Sequence, residues 1–218
     1  MIKIENTSVY GFEEAIRGMR NPMNSWSKSD SYKTYIENEQ TGQRADFEFF
    51  VGDEDLKLMQ KLVKAGTDHR KFMRMITVYV DITAPLYWWK EFDTYKVGTV
   101  RNSCSTMHKI TEKEFTLDDF SHEHLSDDSI KLLKDIVFVL NFHREKYLET
   151  KDKKYWWQII QLLPSSYNQK ATLMLNYEVL ANMYHSRKNH KLDEWHIFCD
   201  WIESLPYAEL ITGGTENE

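Results

Sequence analysis

The polar stretch TYKVGTVRNSC carries side chains that suit an anionic, hydrogen-bonding ligand. Lys96 and Arg101 are cations able to make charge-assisted hydrogen bonds to phosphate groups, and Asn102 presents an amide that can read the edge of a base. Thr99 adds a hydroxyl group, and Cys104 adds a thiol. Polar loops held between rigid elements are frequent binding sites. An ordinary surface loop is the alternative interpretation, and composition by itself favours that alternative.

Two apolar elements must position this stretch. Ile76, Val78, Val80 and Ile82 alternate with more polar residues, and this period of two predicts a β-strand over residues 74–83. An Ala-Pro pair ends the strand, and an aromatic helical turn, LYWWKEF, leads into the polar stretch. The ligand-binding side chains are therefore expected to follow directly on a buried strand and a short helix.

The spacing of these elements resembles that of the flavin-dependent thymidylate synthases. The core of that family runs His-x-x-Pro-Phe-Glu-His, a strand, Ala-Pro, an aromatic turn with Gln, then Arg-His-Arg, seven residues and Ser. Here residues 71–74, Lys-Phe-Met-Arg, stand at Pro-Phe-Glu-His, and Ala84-Pro85 matches directly. Glu91 takes the Gln position. Residues 94–96, Thr-Tyr-Lys, replace Arg-His-Arg, and Cys104 falls after the same seven-residue gap.

A second part of the resemblance lies near the C-terminus. Asn176, Leu180 and Arg187 keep the spacing of a family pattern that ends in an arginine contacting the pyrimidine of dUMP. Leu180 and Arg187 also share one face of a predicted helix, so that Arg187 projects near the buried side. The alternative is an ion pair between Arg187 and Asp193 or Glu194. The family arginine that precedes the Leu-Pro pair is replaced here by Ile160.

The resemblance implies reductive methylation of dUMP, or a related pyrimidine modification, with FAD carrying hydride from NADPH and methylenetetrahydrofolate supplying the carbon. By position in the motifs it assigns FAD contacts to Arg74, Glu91, Thr94, Tyr95 and Lys96. It assigns nucleotide contacts to Thr99, Arg101, Asn102 and Arg187. Arg187 would stabilise negative charge on the pyrimidine carbonyl.

Cys104 is the residue to which we assign a nucleophilic role in this reaction. Lys96 and Arg101 lie nearby and would favour its thiolate, which is the reactive form of cysteine. A thiolate beside a bound pyrimidine can add to the ring. The alternative is a cysteine that acts only as a small apolar residue. For the whole chain, the alternative is a catalytically degenerate homologue that has lost the flavin and acts as a nucleotide-binding or structural protein.

His122 and His124 form a pair of the kind that can ligate zinc from a strand. A zinc site needs further ligands placed by the fold, and nothing else in this charged segment converges on the pair. Cys104 and Cys199 lie far apart and have no metal-type spacing. We therefore expect no metal site.

Composition bounds the class of protein. The chain has 218 residues, of which 41% are hydrophobic and 28% charged, as in ordinary soluble globular domains. A net charge of −6 argues against broad nucleic-acid binding, which needs a basic face. Two distant cysteines fit a reducing cytoplasm. We expect a cytoplasmic protein, since no apolar run is long enough to span a bilayer.

These patterns predict one α+β domain over residues 1–218, with a small, largely antiparallel central sheet and packed helices. A polar flap or loop is expected over about 21–46, and a frayed tail over about 208–218. A long helix begins at Asp127 or Asp128, and its broad apolar stripe suggests burial against two neighbours or sharing between subunits. The family resemblance and the aromatic excess imply a homo-oligomer, which we expect to be a tetramer.

Overall fold

The computed structural model describes residues 2–37 and 44–213, with only the backbone at 36–37 and 44–47. The chain forms two compact units. The first, unit 1, comprises Met1–Asn6, Val80–Lys96 and Arg101–Leu173; the second, unit 2, comprises Thr7–Tyr79, Val97–Val100 and Met174–Glu218.

Six strands are present in the described part of the chain. They are β1 (Lys3–Tyr10), β2 (Tyr32–Glu37), β3 (Arg44–Phe50), β4 (Thr77–Pro85), β5 (Val100–Ser103) and β6 (Asn168–Asn176). Four of them form one sheet in the order β1-β4-β6-β5. Beyond one end of β4, the amide of Leu86 donates to the carbonyl of Tyr167, and beyond the other end the amide of Tyr177 donates to the carbonyl of Ile76. Tyr167 and Tyr177 flank β6, so these two contacts show that β4 and β6 are antiparallel, as the sequence predicts.

Strand β4 buries one face, because Val78, Val80, Ile82 and Ala84 alternate with half-exposed or exposed residues. The predicted strand therefore exists, but it begins at Thr77. The preceding residues, Lys71–Met75, form a short 3-10 helix instead. This segment, KFMRM, lacks the strict alternation of apolar and polar residues that favours a strand. A 3-10 helix can satisfy the backbone hydrogen bonds of such a short segment.

Eight α-helices are described. They are α1 (Phe12–Arg20), α2 (Asp53–Lys64), α3 (Leu86–Phe92), α4 (Asp127–Thr150), α5 (Lys153–Leu162), α6 (Tyr177–Arg187), α7 (Asp193–Glu203) and α8 (Glu209–Thr212). The α+β class and its antiparallel sheet agree with the prediction. No helix in the described residues is both long and apolar enough to cross a membrane.

Helix α4 packs on α5 around one apolar core of unit 1. Its fully buried members include Phe120, Leu133, Leu140 and Ile159. The opposite side of α4 leaves other apolar side chains of the broad stripe exposed, namely Leu132, Phe138, Val139 and Phe142. Within the chain, α4 is thus buried on one face only.

The prediction of a loop over residues 21–46 is wrong in part. Strands β2 and β3 pair antiparallel, with Tyr32 opposite Phe50, and these two rings stack 5.5 Å apart. Polar residues separate the aromatic ones in this segment, so the sequence shows no clear strand periodicity. The pairing is stabilised by aromatic contacts across the two strands, which become apparent only in the structure. Residues 38–43 lie outside the described part.

The expected frayed tail is also shorter than predicted. Helix α8 extends to Thr212, and both Leu210 and Ile211 are buried. The first part of the predicted tail therefore belongs to the core of unit 2. The sequence does not reveal this, because the burial of Leu210 and Ile211 depends on residues that are distant along the chain. Residues 214–218 lie outside the described part.

Candidate functional site

Arg101 organises the polar stretch that follows α3. Its guanidinium donates from Nη1 to Asp93 Oδ1 at 2.7 Å and from Nη2 to the side-chain oxygen of Gln169 at 3.1 Å. The same group lies 4.4 Å from the centroid of the Trp89 ring, in cation–π contact. The Arg101 side chain is only 19% exposed. The guanidinium is thus engaged by Asp93, Gln169 and Trp89, and its contact with a nucleotide stays a prediction.

Cys104 lies at the end of β5, with its backbone hydrogen-bonded on both sides. Its amide donates to the carbonyl of Lys170 at 2.9 Å, and its carbonyl accepts from the side-chain nitrogen of Gln169 at 2.6 Å. The residue is exposed and carries a free thiol. Cys104 therefore combines an accessible reactive group with a fixed main chain.

The Cys104 cleft, as we call it, is a cavity of about 620 Å³ beside this thiol, formed within unit 1. Most of its lining residues are polar or charged. They come mainly from the segment after β5 and from the start of β6, with one residue each from β1 and β4. The lining residues are Lys3, Thr83, Cys104, Ser105, Thr106, Lys109, Ile110, Glu112, Lys113, Asp118, Asp119, Tyr167, Asn168, Gln169 and Lys170. Its volume falls in the range of small-molecule sites.

The lysines of the cleft are partly neutralised by carboxylates. Lys109 pairs with Glu112, and Lys113 pairs with Asp119. Lys170 pairs with Asp81 at 3.1 Å. The Lys109–Glu112 pair is exposed on both sides, and such pairs are weak and can exchange for a stronger anion such as a phosphate group. The carboxylates of Asp119 and Asp81 are largely buried.

Hydrogen bonds and burial shift the pKa values of Lys170 and Tyr167, which line the cleft, and of Asp81, which pairs with Lys170. The hydroxyl of Thr172, the amide of Asn6 and the ammonium of Lys170 lower the pKa of Asp81 to about 2. The hydrogen bond to Asp81 raises the pKa of Lys170 in turn. Burial raises the pKa of Tyr167, and the nearby Asp119 carboxylate adds to this. At neutral pH the cleft thus offers a charged ammonium at Lys170 and a neutral phenol at Tyr167.

The tip of the polar stretch belongs to unit 2, where it approaches the start of α6. Gly98 has φ +78°, and a Cβ added there would come within 2.9 Å of the side-chain nitrogen of Asn176. Asn176 caps α6 by accepting from the amide of Val179. The buried hydroxyl of Thr99 has no hydrogen-bond partner among the described residues.

Arg187 ends α6 in unit 2. Its guanidinium lies 4.7 Å from the centroid of the buried Trp195 ring on α7. Leu180 and Met183, which share its face of the helix, are fully buried. The side chain therefore projects near the buried face, as its register predicts.

No protein-family model matches the chain, and no curated protein matches it by sequence. Solved structures do match. Thymidylate synthase X from Helicobacter pylori, crystallised with FAD and dUMP, superimposes with a TM-score of 0.67 at 15% identity, over 96% of each chain. A second structure of the H. pylori enzyme, also with FAD and dUMP, gives a TM-score of 0.64 over 96% of this chain and 95% of that one.

The chain has the fold of the flavin-dependent thymidylate synthases. A UMP/dUMP methylase from Streptomyces cacaoi, bound with 5-Br dUMP, also matches, with a TM-score of 0.58 at 12% identity over 97% of this chain and 95% of that one. Full coverage at such low identity means that the backbone arrangement is shared while most side chains differ.

On this flavin-dependent thymidylate synthase fold, the residues assigned to FAD vary in what they offer. Lys96 in unit 1 and Arg74 in unit 2 are exposed cations. The Thr94 hydroxyl donates to the carbonyl of Glu91 at 2.9 Å, and the Tyr95 amide donates to the carbonyl of Phe92. Each of these cations is of the type that can pair with a phosphate group, whereas Thr94 and Tyr95 make local turn contacts.

Sequence reasoning missed the contribution of β6 to this site. Tyr167, Gln169 and Lys170 line the Cys104 cleft, yet in the sequence they belong to a short extended piece with no recognised motif. The sequence did hold one signal for it: Gln169 and Lys170 stand at the start of an otherwise largely apolar strand, where polar side chains often serve a site. In the described part of the chain, no three metal-binding side chains cluster, and the His122–His124 pair gains no further ligand there.

Proposed function

We propose that the chain is a flavin-dependent enzyme that modifies a pyrimidine deoxynucleotide, by reductive methylation of dUMP or by a related reaction. The observation that carries this proposal is the Cys104 cleft. The thiol stands where the resembled family has a serine, and it opens onto a cleft lined with lysines, amides and a phenol. The proposal is supported by a fold whose solved relatives include one crystallised with FAD and dUMP and one bound with 5-Br dUMP.

In this proposal the nucleotide lies in the Cys104 cleft with its phosphate near Lys109 or Lys113. A phosphate can compete for both lysines, because it carries more charge and more acceptor oxygens than a carboxylate. The Lys109 pair is the easier one to exchange, since Glu112 is exposed whereas Asp119 is largely buried and also accepts from Thr116. The side-chain amide of Asn168 and the phenol of Tyr167 are among the neutral groups of the cleft that could contact the base and sugar.

Cys104 would act as the nucleophile. Its thiolate would add to the pyrimidine ring as a ring double bond opens and charge passes to a carbonyl oxygen, and it would leave again when that double bond re-forms. Arg187 is proposed to stabilise negative charge on the pyrimidine carbonyl. Asn102 and Thr99 remain proposed nucleotide contacts, Asn102 because it is exposed and Thr99 because its hydroxyl has bonding capacity to spare. Arg101 would act on the nucleotide mainly through the cleft residues that it holds.

FAD, when bound, would supply hydride transfer from NADPH, with methylenetetrahydrofolate as the carbon donor. The chain's own contribution would be to hold the cofactor's phosphates with Lys96 and Arg74. Glu91, Thr94 and Tyr95 would shape the turn that carries Lys96.

We also propose that the protein is a cytoplasmic homotetramer. The exposed apolar side chains of α4, with Phe138 74% exposed, form the kind of patch that marks a subunit interface. Light scattering at micromolar concentration is expected to give four times the chain mass. A stable monomer would contradict the assembly.

Absorbance and calorimetry test the proposed activity. The purified protein is expected to show flavin absorbance bands, directly or after FAD is added, and to bind dUMP. With NADPH and methylenetetrahydrofolate present, dTMP is expected as the product. A protein that binds neither FAD nor any pyrimidine nucleotide would overturn the proposal.

The second candidate is a nucleotide-binding protein that has lost the flavin. The local turn contacts of Thr94 and Tyr95 favour it, since two of the residues assigned to FAD hydrogen-bond to the preceding turn of the chain. A colourless protein that ignores added FAD but binds dUMP would select this candidate.

Arg187→Ala separates nucleotide recognition from stability. A lost charged hydrogen bond is expected to weaken dUMP binding by about 1.5–3 kcal/mol. Lys191→Ala, which removes an exposed cation just beyond α6, is the matched control and is expected to bind as the wild type does. Unchanged dUMP affinity in Arg187→Ala would remove this residue from the site.

A further inference from the structure

Gln169 is a buried amide that connects three parts of unit 1. It lies on β6 and is 8% exposed. Its side-chain oxygen accepts from Arg101 at 3.1 Å, and its side-chain nitrogen donates to the carbonyl of Cys104 at 2.6 Å. Its own carbonyl accepts from the indole of Trp89 at 2.9 Å. Each of these partners is far from Gln169 in sequence.

The direction of the Gln169 amide is fixed by chemistry. A guanidinium has only donors and a carbonyl has only acceptors, so the amide oxygen must face Arg101 and the amide nitrogen must face Cys104. A flipped amide would place its nitrogen against the Arg101 guanidinium, so that two donors face each other, and its oxygen against the Cys104 carbonyl, so that two acceptors do. Both hydrogen bonds would be lost, and buried polar groups left unpaired destabilise the folded state. The side chain therefore has one satisfied orientation.

These contacts form a continuous path from the surface to the main-chain carbonyl of Cys104. Asp93 is 53% exposed and pairs with Arg101, Arg101 bonds to Gln169, and Gln169 bonds to the carbonyl of Cys104. On the other side, the Cys104 amide is held by the carbonyl of Lys170. Both peptide groups that flank the thiol are thus fixed, one by the strand ladder and one by a side chain.

We infer that Gln169 is the positioning residue for the Cys104 thiol: it sets where the thiol stands in the cleft and links that position to the Arg101–Asp93 pair. The strand ladder alone holds only the amide side of Cys104, so the carbonyl side depends on Gln169. The significance of this position rests on the proposed function of Cys104, whereas the positioning itself can be measured without any nucleotide.

Two isosteric substitutions separate the two ends of the amide. Gln169→Glu keeps an acceptor for Arg101 but places a carboxylate oxygen against the carbonyl of Cys104. Gln169→Met fills the same space and makes neither hydrogen bond. Gln158, which is exposed on α5, provides the matched controls Gln158→Glu and Gln158→Met.

The experiment measures alkylation of both cysteines by iodoacetamide across pH, by mass spectrometry, with and without dUMP. Cys199 is the internal reference because it is buried, and burial raises its pKa to about 11. In Gln169→Met, Cys104 is expected to react about threefold faster or more, since loss of one hydrogen bond frees the carbonyl side. In Gln169→Glu, the pH profile of Cys104 is expected to move upward, because a carboxylate disfavours the thiolate.

A purely structural role for Gln169 would lower the melting temperature without these changes at Cys104. The inference is overturned if Cys104 in the Gln169 variants reacts within the spread of the Gln158 variants at every pH. If Gln169→Met does not fold, Gln169→Glu carries the test, since it retains the Arg101 contact. If dUMP neither binds nor protects Cys104 in the wild type, the proposed function fails while the reactivity comparison still decides the role of Gln169.

Discussion

Two arginines each hold a polar segment in place, one in each unit, and they do so in different surroundings. In unit 2, Arg20 donates to Asp55 at 2.6 Å and to the carbonyls of Ser25 and Lys28, and Asp55 is fully buried. In unit 1, Arg101 donates to Asp93, which is half exposed, and to Gln169, which in turn donates to the main-chain carbonyl of Cys104.

The Arg20 cluster is closed. Both hydroxyls that reach Asp55, those of Ser29 and Ser31, come from the segment that the arginine itself holds. The Arg101 cluster is open at both ends, at the exposed carboxylate of Asp93 and at the exposed Cys104. The same ion-pair chemistry therefore serves stability where it is buried, and positions a reactive group where it is partly exposed.

The strongest test of this contrast is Asp55→Ala. Removing one partner of a buried ion pair leaves Arg20 uncompensated, and the expected loss is about 3–5 kcal/mol in the free energy of unfolding. Urea denaturation followed by circular dichroism measures it. A loss below about 1 kcal/mol, which is typical of an exposed ion pair, would contradict the proposed difference between the Arg20 and Arg101 clusters.

The pH dependence of stability sharpens the same point. Burial by itself would raise the pKa of Asp55, but the hydroxyls of Ser29 and Ser31 and the guanidinium of Arg20 outweigh it, so that the pKa lies below its usual value. This contribution to stability is present above the unfolded-state pKa of about 3.9 and is lost as pH falls through the lower folded-state pKa. Stability measured from pH 6 downward should therefore fall more steeply in the wild type than in Asp55→Asn.

Gly98→Ala addresses how the tip of the polar stretch is held. At φ +78° an alanine costs about 1–2 kcal/mol, and its Cβ would crowd the side chain of Asn176 as well. Gly66→Ala is the control, since Gly66 has φ +102° but nothing within 4 Å of the added Cβ. Gly98→Ala should lower the melting temperature more than Gly66→Ala does. Equal shifts would mean that backbone strain alone matters.

The smallest expected effect is that of Asp93→Ala. A partly exposed ion pair contributes about 0–1 kcal/mol, so the free energy of unfolding should hardly change. The alkylation rate of Cys104 is nevertheless expected to change. Arg101 loses its contact with Asp93, and Arg101 is the group that holds Gln169 against the carbonyl of Cys104. A stability loss as large as that of Asp55→Ala would show that the two clusters are not different in kind.

Several features could be predicted from the sequence alone, because they depend on local periodicity. The alternation of Val78, Val80 and Ile82 gives β4, and the helical register beyond Leu180 places Arg187 near the buried face of α6. The spacing around Ala84-Pro85 and Cys104 also indicated the fold family, whose fold the solved structures share. These are properties of neighbouring residues, and the sequence holds them directly.

Other features were decided only by tertiary structure. Arg101 was assigned to a ligand, but in the structure it pairs with Gln169, which lies 68 residues away, and Asp55 meets Arg20 across 35 residues. Strands β2 and β3 became visible only through their pairing. The physical reason is that a hydrogen-bonding side chain takes whichever partner the fold brings near, and burial then decides how much that partner matters. The sequence determines which groups can bond, and the packing of distant segments decides which of them do.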